Sequence, residues 1–276
     1  MSKADKIFVC MCEDILKNGY SSNGQVVRAR WEDGSPAHTI KKFGVINRYN
    51  LEEEFPALTL RPTPIKSAVD ELLWIWQKKS NQVKDLKTHI WDSWADDEGT
   101  IGKAYGYQLG VKYDFAQGRM DQVDNVLWQL KNTPYSRRIM TNIYNFSDLN
   151  EMGLEPCAYS MTFNVTGNKL NAILNQRSQD ILVANNWNVV QYAILVHMFA
   201  QVSNLNVGEL VHVVSDAHIY DRHIPLIEEL ISRPQYKAPK VVLNPDIKNF
   251  YDFTTEDILI EDYKSGNQIK AIPVAI

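Results

Sequence analysis

The chain has 276 residues, 45% of them hydrophobic, and a formal net charge of −4. That length can bury a large core, and the mild acidity excludes a protein that coats a nucleic-acid polymer, which needs concentrated positive charge. No apolar run reaches the roughly 20 residues a bilayer demands, the N-terminal stretch lacks a signal-peptide core and cleavage site, and three cysteines without framework spacing make no disulfide scaffold, so a cytoplasmic, reducing setting without membrane attachment is the expectation.

In chain order, residues 4–17 read as a helix ending near Gly19, and residues 20–45 as a polar, weakly periodic stretch with a turn at "EDGSPAH". "TPIKSAVDELLWIWQKK" carries the clearest helical signal: Thr63 as cap, Pro64 in the first turn, and Ile65, Ala68, Val69, Leu72, Leu73 and Trp76 along one face. Glu71 falls off that stripe, between Trp74 and Ile75, which sets it against a second packed surface. Residues 120–132 form another amphipathic helix, with Val123, Val126, Leu127 and Leu130 inward. "YSMTFNV", the turn "TGN" and "KLNAILNQRS" read as paired strands. "NWNVVQYAILVHMFAQVSN" is apolar nearly all round and reads as a buried central helix. "LVHVVSDAHIY", "KVVLN" and "ILIED" read as strands. Helices and strands mix without a βαβ rhythm, so the fold class is α+β.

Cys157 stands just after a proline at the start of an alternating run. A lone cysteine is most often a small buried apolar side chain; reactivity needs thiolate, and hence positive charge nearby. A hairpin about "TGN" returns Arg177 to Cys157, and a permanently charged guanidinium there would lower the thiol pKa without a histidine. Cys10 and Cys12 point to different sides of a helix and have no second ligand pair, so they are structural rather than a metal site. Arg137 and Arg138 are adjacent; such pairs are usually solvated, and are also well shaped to grip phosphate. Trp91, Trp94 and Tyr105 lie in an irregular segment, as core or as the wall of a flat-ligand pocket. Asp216, His218 and Tyr220 share one strand face by their i, i+2, i+4 spacing.

"DELLWIWQ", "HIWDSWADDEGTIGKAYGYQ", "SRRI", "EPC", "NQRSQD", "WN", "DAHIY", "YDF" and "PVAI" follow one another over residues 60–276. In that order and spacing the chain resembles the folate-dependent, cysteine-using thymidylate synthases, and "DGSPAHT" with the chain length resembles their Bacillus and phage branch. The resemblance implies one α+β domain over residues 1–276, with a large bent mixed sheet flanked by helices and a sheet-to-sheet homodimer. It implies the substrates dUMP and 5,10-methylenetetrahydrofolate. It implies Cys157 as nucleophile, Glu71 organising water near the pyrimidine O4 and passing protons, Tyr105 assisting C5 deprotonation, and Asn188 reading the uracil N3–O4 edge. Arg177 and Ser178 would hold the phosphate, joined by Arg137 and Arg138 of the second subunit and by Arg28 or Arg30. His218 and Tyr220 would hold the 3′-hydroxyl. Asp180 would bind the pterin, Trp91 and Trp94 would pack beside the folate, Arg61 would meet its glutamate tail, and Ile276 would close over the complex.

The match has departures. Ala158 follows the cysteine where a histidine is frequent, Ser215 replaces a glycine before Asp216, and "VANNWN" stands where the family usually has a glycine and then Pro-Phe before the asparagine. These changes cluster around the base. They open a second enzyme reading, a 5-hydroxymethylase that adds water instead of hydride; a third reading, outside catalysis, is a degenerate nucleotide-binding regulator.

Overall fold

Helix α1 (Lys3–Asn18) starts at Ser2, whose hydroxyl accepts the Asp5 N–H as an N-cap. Cys12 is buried on its inner face and Cys10 is exposed, so the two thiols do point apart. The computed structural model describes residues 2–276. Strands β1 (Tyr20–Ser21) and β2 (Thr39–Asn50) follow. The long β2 runs through part of the stretch read as polar and aperiodic. Its alternation is broken at Gly44, which has φ +74°, and its outer positions Phe43 and Ile46 are 91% and 60% exposed.

Helix α2 (Ile65–Trp76) is buried from Ala68 to Trp76. Pro64 occupies its boundary without a side-chain cap bond. The expected Thr63 cap does not form, because the Thr63 hydroxyl accepts from the Asn186 amide instead. Helix α3 (Gly106–Gly110), the hairpin β3 (Lys112–Phe115) and β4 (Gly118–Asp121), and helix α4 (Gln122–Asn132) come next. Asp121 caps α4 by accepting the Asp124 N–H.

The main sheet continues with β5 (Met140–Asn142), β6 (Ala158–Thr166), β7 (Lys169–Gln176) and β8 (Gln179–Asp180). Helix α5 (Asn185–Val202) is apolar all round and buried, and β9 (Asn206–Tyr220) crosses the sheet beyond it. Helix α6 (Ile224–Ile231) and the small sheet of β10 (Lys240–Leu243) and β11 (Ile258–Glu261) complete the chain.

The sheet order is β1-β2-β9-β7-β6-β5, with β8 on β9. The β7–β9 and β8–β9 pairs are parallel and the others antiparallel, so the sheet is mixed. Register shifts at Ala158/Ser160 and Leu170/Ala172 bend it. Asn47, His212, Leu174, Met161 and Thr141 form one cross-strand row, all buried beneath the helices. One residue along, the pattern inverts: Arg48, Val211, Ile173, Thr162 and Met140 lie on the other face, with Ile173 and Met140 exposed. Helices α1 and α5 cover the buried face and α2 packs on α5, where Trp76 meets Tyr192 and Phe199 edge-on. Each such fully buried side chain contributes about 1.5–3 kcal/mol.

Candidate active site

Strand β6 begins directly after Cys157, and β7 returns from the turn at Gly167, whose φ of +62° suits glycine. The hairpin therefore closes as the sequence implies. The Arg177 N–H donates to the Cys157 carbonyl at 2.9 Å. The Arg177 guanidinium donates to the carbonyls of Pro156 at 3.0 Å and Glu155 at 2.7 Å, which fixes its charge beside the thiol. Burial nevertheless pushes the Cys157 thiol up, against the opposing pull of Arg177 and Arg28. The expectation of a lowered thiol pKa thus has the right sign for the arginine, but desolvation outweighs it.

Arg28 and Arg30 differ in their surroundings. Arg28 acts electrostatically on both Cys157 and Tyr220. Arg30 turns back and donates to the carbonyls of Val27 and Ala29.

Tyr105 sits at the mouth of α3 with a left-handed φ of +44°. The next residue must be glycine, since a Cβ on Gly106 would collide with the Ser80 carbonyl. The Tyr105 hydroxyl accepts the Cys157 N–H at 3.2 Å, and burial pushes its phenol up. Its ring lies 5.0 Å from Trp91, which in turn meets Trp94 at 5.7 Å and Trp74 at 5.8 Å. Trp91 is enclosed by these rings, and half-buried Trp94 is the more open indole.

Glu71 is 6% exposed. Its carboxylate accepts from the indoles of Trp91 and Trp187, both at 2.5 Å, and from the Gln191 amide. Burial raises its pKa, and these three donors oppose the rise. Gln176 points to the helical side and donates to the Asn188 Oδ1 at 3.0 Å, while the Gln176 Oε1 meets the buried His212 ring at 2.6 Å. The Asn188 Nδ2 donates to nothing among the described residues. Asn186, in contrast, is structural: its carbonyl accepts the Leu58 N–H.

Asp216, His218 and Tyr220 do share a face. The His218 Nδ1 meets Asp216 at 3.0 Å, Lys41 holds the same carboxylate at 2.7 Å, and the His218 and Tyr220 rings are 5.1 Å apart. Asp180 accepts the N–H groups of Leu182 and Val183 and stands 3.6 Å from His223. Arg61 is 9% exposed and already bound to the Leu182 carbonyl and to Gln268, so its guanidinium is committed to the fold. Ser178 lies between Arg177 and β8, partly exposed. The last residue pairs with Arg30 through two backbone bonds of 2.8 and 2.9 Å, and the Ile276 side chain is 66% exposed.

Arg137 and Arg138 are exposed, and their guanidiniums hydrogen-bond to nothing among the described residues. Their neighbour Ile139 accepts the Phe163 N–H. Phe163 is six positions along β6 from Cys157, about 20 Å at the rise of a strand. These arginines therefore do not reach the Cys157 cluster of their own chain.

Sequence reasoning missed Gln176, Gln191, His212 and the Trp187 indole N–H. The available signal was a polar residue, Gln191, inside the apolar run of α5. A concavity of about 1060 Å³ lies elsewhere, between Leu51–Phe55, α5 and Lys237–Leu243, and holds none of these side chains. Convergent chemistry, not volume, makes the Cys157 cluster the candidate site.

Comparison with known proteins agrees with the geometry. The family model described as thymidylate synthase matches residues 6–276. The chain is 44% identical over 274 residues to a thymidylate synthase of Bacillus licheniformis, with 98% of each chain covered. It is 42% identical, at the same coverage, to a thymidylate synthase of Bacillus phage phi3T. A solved structure, the thermostable thymidylate synthase A from Bacillus subtilis, superposes with a TM-score of 0.94 at 41% identity and 99% coverage of both chains.

Proposed function

The chain belongs to the thymidylate synthase family, and from that premise we propose how its residues carry out the reaction, the reductive methylation of dUMP to dTMP. The co-substrate 5,10-methylenetetrahydrofolate supplies both the one-carbon unit and the hydride. The relatives favour this activity over the water-adding and catalytically silent alternatives. Residues 1–276 act as one catalytic domain.

Carbon 5 of uracil is a poor nucleophile. Attack of the Cys157 sulfur on C6 turns the ring into an enolate with carbanion character at C5. Arg177 and Arg28 supply the positive charge that favours the thiolate, and a bound nucleotide phosphate shares the same guanidiniums, with Ser178 beside them. Asn188 donates through Nδ2 to O4 and accepts N3–H at Oδ1, a pairing that selects uracil over cytosine. Gln176 holds that amide in orientation. Glu71 relays protons near O4, and Tyr105 assists removal of the C5 proton. His218 and Tyr220 hold the 3′-hydroxyl.

For the folate, Trp94 and the wall of Trp91 behind it offer a flat apolar surface, and the Asp180 carboxylate serves the pterin. The committed guanidinium of Arg61 supports that wall through Leu182 rather than reaching a glutamate tail. The Ile276 terminus, tied to the Arg30 loop, closes over both ligands and excludes water. The outer sheet face, with exposed Ile46, Ile173 and Met140, pairs with that of a second subunit. That arrangement brings Arg137 and Arg138 to the partner's phosphate. No helix among the described residues is long and apolar enough to cross a membrane, and we place the enzyme in the cytoplasm.

The observation that carries this reading is the charged guanidinium of Arg177 locked beside Cys157. The test is the product formed from dUMP and methylenetetrahydrofolate. dTMP with dihydrofolate supports it; a 5-hydroxymethyl nucleotide with tetrahydrofolate, or no product, overturns it.

A further inference from the structure

Trp187 opens α5 one turn before Gln191, so both side chains reach the same point on α2. That point is Glu71. Its Oε2 accepts from the Trp187 indole and the Gln191 amide, and its Oε1 accepts from the Trp91 indole. The Gln191 nitrogen also donates to the Ala68 carbonyl at 3.0 Å, an acceptor only, which fixes the orientation of that amide. All three partners are donors, and an ionised carboxylate offers about four acceptor positions. Oε2 is filled from both sides, and one position on Oε1 is left.

We propose that Trp187 is a positioning residue for Glu71: its indole N–H closes Oε2 and directs the exchanged proton to Oε1, the oxygen on the Trp91–Tyr105–Cys157 side. The inference rests on the relay role of Glu71 given above and deepens it. The other charged group that acts on Glu71 is Asp70, of like sign. The titratable groups from the neighbouring elements are the phenols of Tyr105 and Tyr192, both held neutral by burial. Support for the anion therefore comes from hydrogen-bond donors, and Trp187 supplies one of three. A phenylalanine at this place would leave Oε2 open to a second proton site and burial less opposed.

Two measurements test this on the full-length protein. In a sample carrying ¹⁵N-labelled tryptophan, two of the seven indole signals should follow one common titration, and both should stop following it in Glu71→Gln. One coupled signal or none overturns the proposal, whether or not a Trp187 variant folds. In Trp187→Phe, kcat should fall about tenfold or more, the KM for dUMP should stay within about threefold, and the acid limb of kcat should move up by about one pH unit. A profile that superimposes on the parent overturns it. If the parent makes no dTMP, the proposed function fails, and the indole titration still decides the Trp187 contact.

Discussion

Arg177 returns its backbone N–H to the carbonyl of Cys157 at 2.9 Å, across the end of the hairpin that turns at Gly167. The proposed nucleophile and the cation beside it are thus fixed by strand register. A one-residue slip would send Arg177 to the opposite face.

Cys157→Ser should lose on the order of a thousandfold or more in kcat, the scale on which removal of a nucleophile acts. dUMP binding, measured by calorimetry, should persist, because the phosphate and base contacts do not use the sulfur. Substantial turnover in the variant would remove the covalent step.

Asn188→Asp should shift preference toward dCMP. A protonated carboxyl donates to cytosine N3 and accepts from its amino group, the reverse of the amide pattern. The ratio of kcat/KM for dCMP to that for dUMP should rise by about tenfold or more, since sites built on paired hydrogen bonds discriminate strongly. An unchanged ratio would mean that the base edge is read elsewhere.

Arg137→Ala subunits mixed with Cys157→Ser subunits should regain activity that neither has alone. In a two-fold dimer with shared phosphate sites, random exchange restores about one quarter of the sites. Failure despite exchange proven by native mass spectrometry would place Arg137 outside the partner's site.

His212 is fully buried, and burial lowers its pKa from 6.5 to about 4. Between those values the unfolded chain binds more protons than the folded one. Stability should therefore be complete above the ordinary histidine range and fall as pH drops toward 4, by up to about 3 kcal/mol. Denaturant unfolding at a series of pH values should show this slope in the parent and a flatter one in His212→Gln. Equal slopes would contradict the neutral buried ring.

Much of this was legible in the sequence, where local chemistry and period agree. Helices α2 and α5 follow from their apolar patterns, and the Cys157–Arg177 contact follows from a hairpin with a "TGN" turn. Glu71 was correctly set apart from the main stripe of α2. What escaped was tertiary. The Thr63 cap was lost to Asn186, a competitor 123 residues away. Strand β2 was hidden because its outer face carries exposed apolar residues and its period breaks at Gly44. Arg28 and Arg30 are indistinguishable in sequence; in the fold, Arg30 turns back onto its own loop, and Arg28 acts on Cys157 and Tyr220. The fate of "NNWN" required the fold: one asparagine ties down Leu58, the tryptophan holds Glu71, and the last asparagine accepts from Gln176.

The most direct test of the covalent step is 5-fluoro-dUMP with methylenetetrahydrofolate, because fluorine at C5 cannot leave as a proton and the adduct stays bound. Intact mass should rise by one nucleotide plus one folate, and digestion should place the addition on the peptide that holds Cys157. An unmodified mass at saturating ligand, or an adduct on Cys10 instead, would contradict the account.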